Sequence, residues 1–261
     1  MKVILHADDF GFDKDTTEAT IELLECGVLT SATIMANMPA SDIAIAYAKE
    51  HPEKSWGVHL TYVDGLKPMC EANEIPTLVD SEMGGGFYDS NIVRKQAMLL
   101  RQSKQDIVKE SLAQIKKLQN AGIAISHLDS HGHLHKFPSF LFAMKEISMH
   151  TGIGKIRKVQ DIFLKKPQFS PRTLLNSLFD AYIKRHFITT DYFYMSANSM
   201  DTDWAETIAA KLADLSKNKV IEIGVHPGNI EDWRKQEKVD ILAFYELIKH
   251  KHNIITWNNL V

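Results

Sequence analysis

The stretch Ser126-His127-Leu128-Asp129-Ser130-His131-Gly132-His133-Leu134-His135-Lys136-Phe137-Pro138 decides how this chain folds. It carries four of the twelve histidines. The apolar run at 123–125, set off by Gly122, reads as a strand. Pro138 opens an apolar-periodic segment that reads as a helix over 140–149, with proline in its first turn. The histidines therefore crowd the junction where a strand ends and a helix begins. In an α/β protein that junction faces the ligand, because functional loops gather at the carboxyl ends of parallel strands. Side chains two apart in an extended segment share a face. Either His127, Asp129 and His131 or His131, His133 and His135 can therefore converge. Solvated loop imidazoles, hydrogen-bonding partners and metal ligands all fit this spacing, neutral imidazole being a common metal ligand.

Outward from that junction, strands and helices alternate. Residues 3–5 form a short apolar strand that runs into His6-Ala7-Asp8-Asp9-Phe10-Gly11. Asp15 and Glu18 make a capping box for a helix closed by Gly27. Strands follow at 32–36 and 56–62, the latter with His59 near its end, and a helix at 42–49 separates them. Residues 64–90, with two prolines after Leu66 and a triple glycine at 84–86, form a long loop of the kind used as a lid or substrate loop. A helix spans 93–119. Later strands fall at 153–157, 187–193, 220–225 and 254–257, and later helices at 173–183, 204–216 and 239–249. Alternation of this kind implies a mostly parallel sheet. Seven or eight such units in 261 residues favour an α/β architecture of one domain, residues 1–261, built as a closed or nearly closed (β/α) barrel.

The net charge of -3 offers no basic stripe for nucleic acid and no polybasic patch for a membrane. Two cysteines, Cys26 and Cys70, are too few for a disulfide framework and fit a reducing cytosol. The N-terminus turns acidic after one short apolar run, unlike a signal peptide, and no apolar run has membrane-spanning length. The expectation is a cytoplasmic protein.

Polar clusters now stand at the ends of four separate strands: Asp8-Asp9, His59, Asp129-His131 and His226. Such residues in register point to one site on the top face of a barrel. Taken singly, Asp8 or Asp9 could cap a helix, and His59 or His226 could be an interior histidine. Two adjacent carboxylates beside an apolar strand are costly to leave unpaired, however, and a divalent cation would lower that cost. One carboxylate and two histidines hold such an ion while leaving positions open. A second carboxylate then serves as a base and a further histidine, on the opposite side of the scissile bond, as a proton donor, an inventory suited to hydrolysis of an amide or ester.

Ala7-Asp8-Asp9-Phe10-Gly11, Gly57-Val58-His59-Leu60, His127-Leu128-Asp129-Ser130-His131 and Val225-His226-Pro227-Gly228 together resemble the YdjC-like carbohydrate deacetylases, a group that includes chitooligosaccharide deacetylases. The run at 29–33 is similar too, and the match proceeds in order over nearly the whole chain. The resemblance implies a barrel related to polysaccharide deacetylases and one divalent ion, Mg2+ or Zn2+, held by Asp9, His59 and His131. It implies Asp8 as the base, His226 as the donor to the leaving amine, and an acetylated mono- or oligosaccharide as substrate. A homodimer is expected on the same ground. The segments at 64–90 and 160–185 depart most from the family and are expected to line the substrate cleft, with Trp56, Tyr62, Phe87 and Tyr88 available to stack on sugar rings. Two other readings use the same residues: a non-haem iron oxygenase, whose facial triad is also two histidines and a carboxylate, and a sugar-binding protein with a vestigial metal site.

Overall fold

The structure, a computed structural model, describes residues 1–64, 66–82, 84–164, 170–196 and 204–261. In chain order the elements are β1 Lys2–Phe10, α1 Lys14–Glu25, β2 Ser31–Ile34, α2 Ser41–Glu50, β3 Ser55–Leu60, β4 Val79–Asp80, β5 Gly86–Phe87, α3 Ser90–Met98 and α4 Lys104–Asn120. There follow β6 Ile125–Ser130, α5 Pro138–Thr151, α6 Pro171–His186, β7 Tyr192–Met195, α7 Trp204–Asp214, β8 Val220–Val225, α8 Asp232–Ile248 and β9 Asn253–Ile254.

Seven of the strands form one parallel sheet in the order β6-β3-β2-β1-β8-β7, with β9 beside the first residues of β1. β1 is hydrogen-bonded along almost its whole length and is buried from Val3 to Phe10. Helices cover the outside and side chains fill the inside, so the central strands read as near-continuous apolar runs. The expected parallel barrel is present, but its wall is incomplete. Among the described residues, it is bridged between β6 and β7 only at Leu128–Ile156 and Lys155–Ile188. The expected strand at 153–157 is reduced to those contacts; beyond them Arg157 turns its charged end to the buried Asp8, and Lys158 to the more exposed Asp161.

Several local expectations change. Asp13 caps α1 by accepting from Thr16 N at 2.8 Å. Asp15 instead accepts from Asn229 N and Ile230 N, at 2.9 and 3.1 Å, and ties α1 to the loop after β8. The expected helix over 93–119 is two helices. Leu100 adopts a left-handed φ of 54° and Ser103 caps a fresh start by accepting from Asp106 N, a competing N-terminus inside an apolar-periodic run. The strand leading into the histidine stretch runs to Ser130, so His127 and Asp129 are strand residues rather than loop residues. A short 3-10 segment, His131–Lys136, then joins it to α5.

Candidate active site

β1 presents two neighbouring carboxylates to one cavity, which a regular strand cannot do because successive side chains point to opposite faces. A bulge removes the obstacle. Ala7 pairs with Ala32 and Phe10 with Ile34, three steps on β1 against two on β2, and Asp9 takes a left-handed φ of 59°. The extra residue re-aims a side chain, so Asp8 and Asp9 both turn inward, each 1% exposed.

Asp8 is gripped by Arg157. Nη1 and Nη2 donate to its two oxygens at 2.7 Å each, a bidentate fork. The same guanidinium lies 2.6 Å from Asp129 and donates to Glu222 at 2.7 Å. Burial favours the neutral acid of Asp8, but Arg157, aided by His59 and His226, outweighs it and holds the pKa below the usual carboxylate range. Glu222 fares differently. Burial on β8 pushes it up to about 7 despite Arg157. His6, one inward position below Asp8, hydrogen-bonds Ser31 and Thr33 and stays neutral, because burial and then Arg157 lower its pKa.

Asp9 faces the histidines. Its Oδ1 lies 3.4 Å from His59 Nε2 and 2.9 Å from His131 Nδ1. One donor atom from each of the three residues lies within 4.8 Å of the others. Asp129, in register with His59 across β3 and β6, accepts from His59 Nδ1 at 2.7 Å and turns Nε2 toward Asp9. A carboxylate behind a ligating imidazole orients metal sites in this way. Burial opposes charging His59, yet Asp129, Asp8 and Asp9 prevail and raise its pKa to about 10. The pocket thus calls for a cation beside its carboxylates. The oxygen and nitrogen donors of Asp9, His59 and His131 fit a divalent one. A second group of donors, His6, Asp8 and Asp129, is equally close, but there the Arg157 guanidinium already supplies the positive charge.

His226 stands just past β8, whose Val225 is in register with Ala7. Its Nδ1 lies 3.3 Å from Glu237, which also accepts from its backbone N–H at 2.5 Å. Burial disfavours the imidazolium, but Glu237, Asp9 and Asp8 more than compensate and raise its pKa. His226 Nε2 is 4.0 Å from Asp8, so the two groups are neighbours on one wall and not on opposite sides as expected.

The other histidines divide. His127 is buried and stacks on Trp257 with centroids 4.2 Å apart, and His135 shares a hydrogen bond with Ser130 Oγ. Both serve the packing below the site. His133, with a left-handed φ of 54°, lines a cleft of about 1050 Å³ together with His226. The cleft runs along the incomplete part of the barrel wall. Its described lining includes Phe163, Phe179 and Thr173 from the 160–185 segment, with Arg94 and Phe137. None of the described residues of 64–90 lines it. Glu110 and Asp106 on α4 accept from the backbone of Met69, Cys70 and Thr77 and hold that segment to the helix. Trp56, Tyr62 and Phe87, expected to stack on sugars, are core residues at most 2% exposed. Among the described residues, the phenylalanine rings on the cleft are Phe137, Phe163 and Phe179. Residues 165–169 of the departing segment lie outside the described residues.

Arg157, Glu222, Glu237 and Arg234 went unmarked in the sequence. Arg157 ends the expected strand at 153–157, the position that singled out the other polar groups. Glu222 interrupts the apolar strand Val220–Val225, and a carboxylate there demands a partner. Nothing in the spacing marks Glu237 or Arg234, which sit on α8.

The family profile described as YdjC-like protein matches residues 2–252. A carbohydrate deacetylase of Geobacillus stearothermophilus is 33% identical over 145 residues, 56% of this chain and 55% of that relative. The chain thus aligns with only about half the length of that relative. Carbohydrate deacetylase 1 of Listeria innocua serovar 6a is 30% identical over 234 residues, 89% of this chain and 83% of the relative. Among solved structures, a proposed cellobiose-phosphate cleavage protein of Enterococcus faecalis V583 superposes with a TM-score of 0.78 at 24% identity, over 98% of this chain and 97% of that one. That likeness bears on the fold, which the two share. The four motifs that build the site all fall within the matched residues: the chain belongs to the YdjC-like protein family.

Proposed function

We propose that this chain is a metal-dependent carbohydrate deacetylase that hydrolyses the N-acetyl group of an acetylated sugar, a short chitooligosaccharide being the first candidate. The observation that carries the reading is the bulge in β1, which turns Asp8 and Asp9 into one cavity with different partners. Asp9, His59 and His131 would hold the ion, magnesium or zinc. Such an ion polarises a carbonyl and lowers the pKa of water when bound. Asp8, kept ionised by Arg157, accepts the proton of the attacking water. His226, whose pKa Glu237 helps to raise, gives a proton to the departing nitrogen, which is a poor leaving group without one. Since Asp8 and His226 stand side by side, the amide lies along their wall rather than between them. The names of the relatives support the carbohydrate substrate, and the aromatic rings on the cleft offer apolar faces for sugar rings.

The test is a panel of N-acetylated mono- and oligosaccharides scored for free acetate, with metal stripped by chelation and then restored. Acetate release that stops on stripping and returns with the ion is expected. Release indifferent to the chelator would overturn the metal dependence, and no release from any N-acetyl sugar by restored protein would overturn the activity.

A further inference from the structure

The oxygens of Asp9 are divided between two kinds of partner. Oδ1 faces His59 and His131, while Oδ2 accepts from Arg234 Nη2 at 2.9 Å. The Arg234 side chain is 8% exposed and fixed on several sides. Its Nε donates to Glu231 at 3.0 Å, and its guanidinium lies 4.3 Å from the Trp233 ring and 5.6 Å from that of Phe12. Phe12 in turn stacks near-parallel on His131. Gly228 completes the seat, since a Cβ there would lie 2.8 Å from Arg234 Cβ and 3.0 Å from Cδ. The Asp9 and Gly228 motifs, far apart in sequence, are thus locked together by one arginine that belongs to neither.

Resting on the metal reading above, we infer that Arg234 is a positioning residue that restricts Asp9 to one-oxygen binding and deliberately loosens the cation site. An arginine engaging Oδ2 keeps the carboxylate from offering both oxygens to an ion. Its own charge, one carboxylate away, opposes a divalent cation and neutralises part of the field that holds it. The ion is held less tightly and remains more electron-poor, the property that polarising a carbonyl requires. A bare aspartate would bind the cation more firmly and activate less.

The experiment measures zinc affinity of the full chain by competition with a fluorescent zinc chelator, beside kcat and KM for acetate release. Arg234→Gln keeps an amide donor near Oδ2 but removes the charge. It is expected to tighten zinc binding about tenfold, the order of effect of one unit charge this close to a divalent ion even at a high effective dielectric, and to lower kcat more than it changes KM. Arg234→Lys keeps the charge without the fork and should fall between Arg234→Gln and the parent chain. A residue that merely braces α8 would give weaker zinc binding, or none of this ordering. Zinc affinity equal to or weaker than the parent's, in whichever of the two variants folds, overturns the inference and leaves the metal reading standing. A parent chain that binds neither zinc nor magnesium overturns both.

Discussion

Replacing Arg157 with methionine isolates the electrostatic centre of the barrel. The side chain is fully buried and its guanidinium serves Asp8, Asp129 and Glu222 together, with contacts of 2.6 to 2.7 Å. Removing one partner of a buried ion pair leaves an uncompensated charge and costs about 3–5 kcal/mol. Here the guanidinium shared by three buried carboxylates is lost, so the upper part of that range is expected. In a protein of this size about 4 kcal/mol corresponds to a fall in Tm of roughly 10 °C. The pH dependence sharpens the test. In the parent chain Asp8 has a depressed pKa, so its contribution is present above the ordinary carboxylate pKa and is lost as pH falls through the native value. In Arg157→Met, Asp8 and Glu222 lose the guanidinium that lowers their pKa values, which therefore rise. Their protonated forms are tolerated in acid, and stability is lost as pH climbs. Urea unfolding of both proteins at pH 5 and pH 8 should therefore show a penalty that is larger at pH 8. A penalty under about 1 kcal/mol, or the same penalty at both pH values, would refute the assignment of Arg157 as the counter-charge of the site.

Asp8→Asn should retain divalent metal, measured by elemental analysis, while acetate release falls by about two to four orders of magnitude, the usual worth of a general base; near-normal turnover would remove Asp8 from that role. His226→Ala should cost far more on an N-acetyl sugar than on an aryl acetate, whose leaving group needs no proton. Because Glu237 helps to raise the pKa of His226, Glu237→Gln should move the alkaline limb of the pH–rate profile to lower pH, and an unmoved limb would argue against an imidazolium donor. Gly57→Ala would place a Cβ 2.5 Å from Thr33 Cγ2 and 2.6 Å from His127 Cε1. Overpacking of this kind costs about 1–3 kcal/mol, and a loss of activity beyond the loss of folded protein should follow, since Thr33 hydrogen-bonds both His59 and Asp129.

The sequence made the parallel architecture legible because strands covered on both faces leave near-continuous apolar runs, and Val220–Val225, apolar but for Glu222 and Gly224, matches the expected strand end to end. The polar strand ends were legible for a related reason: titratable groups are conspicuous where an apolar run stops. Contacts created by the register were hidden. Asp8 and Asp9 can be counted in the sequence, but the bulge that lets both turn inward depends on how β1 pairs with β2. His127 looked equivalent to His131 by spacing and proved to be a packing residue on Trp257. The aromatic residues were misjudged because β-propensity cannot say which face of a strand is covered. Trp56 and Tyr62 went to the core, while the rings on the cleft come from irregular or helical segments with no periodic signal.

The bulge in β1 also governs how the site can vary. Two carboxylates on separate loops would wander independently, each with its own thermal motion and its own freedom to be moved by insertions nearby. Asp8 and Asp9 are joined by a single peptide unit in a strand that pairs with β8 up to Ala7 and with β2 again at Phe10, so the spacing between proton acceptor and cation ligand is built into the backbone. Removing one residue from this strand would swing every side chain beyond the deletion to the opposite face, and base and ligand would be lost together. Chemical diversification of this scaffold is therefore expected in the 160–185 segment and the other walls of the cleft, while the acidic pair behaves as one indivisible part.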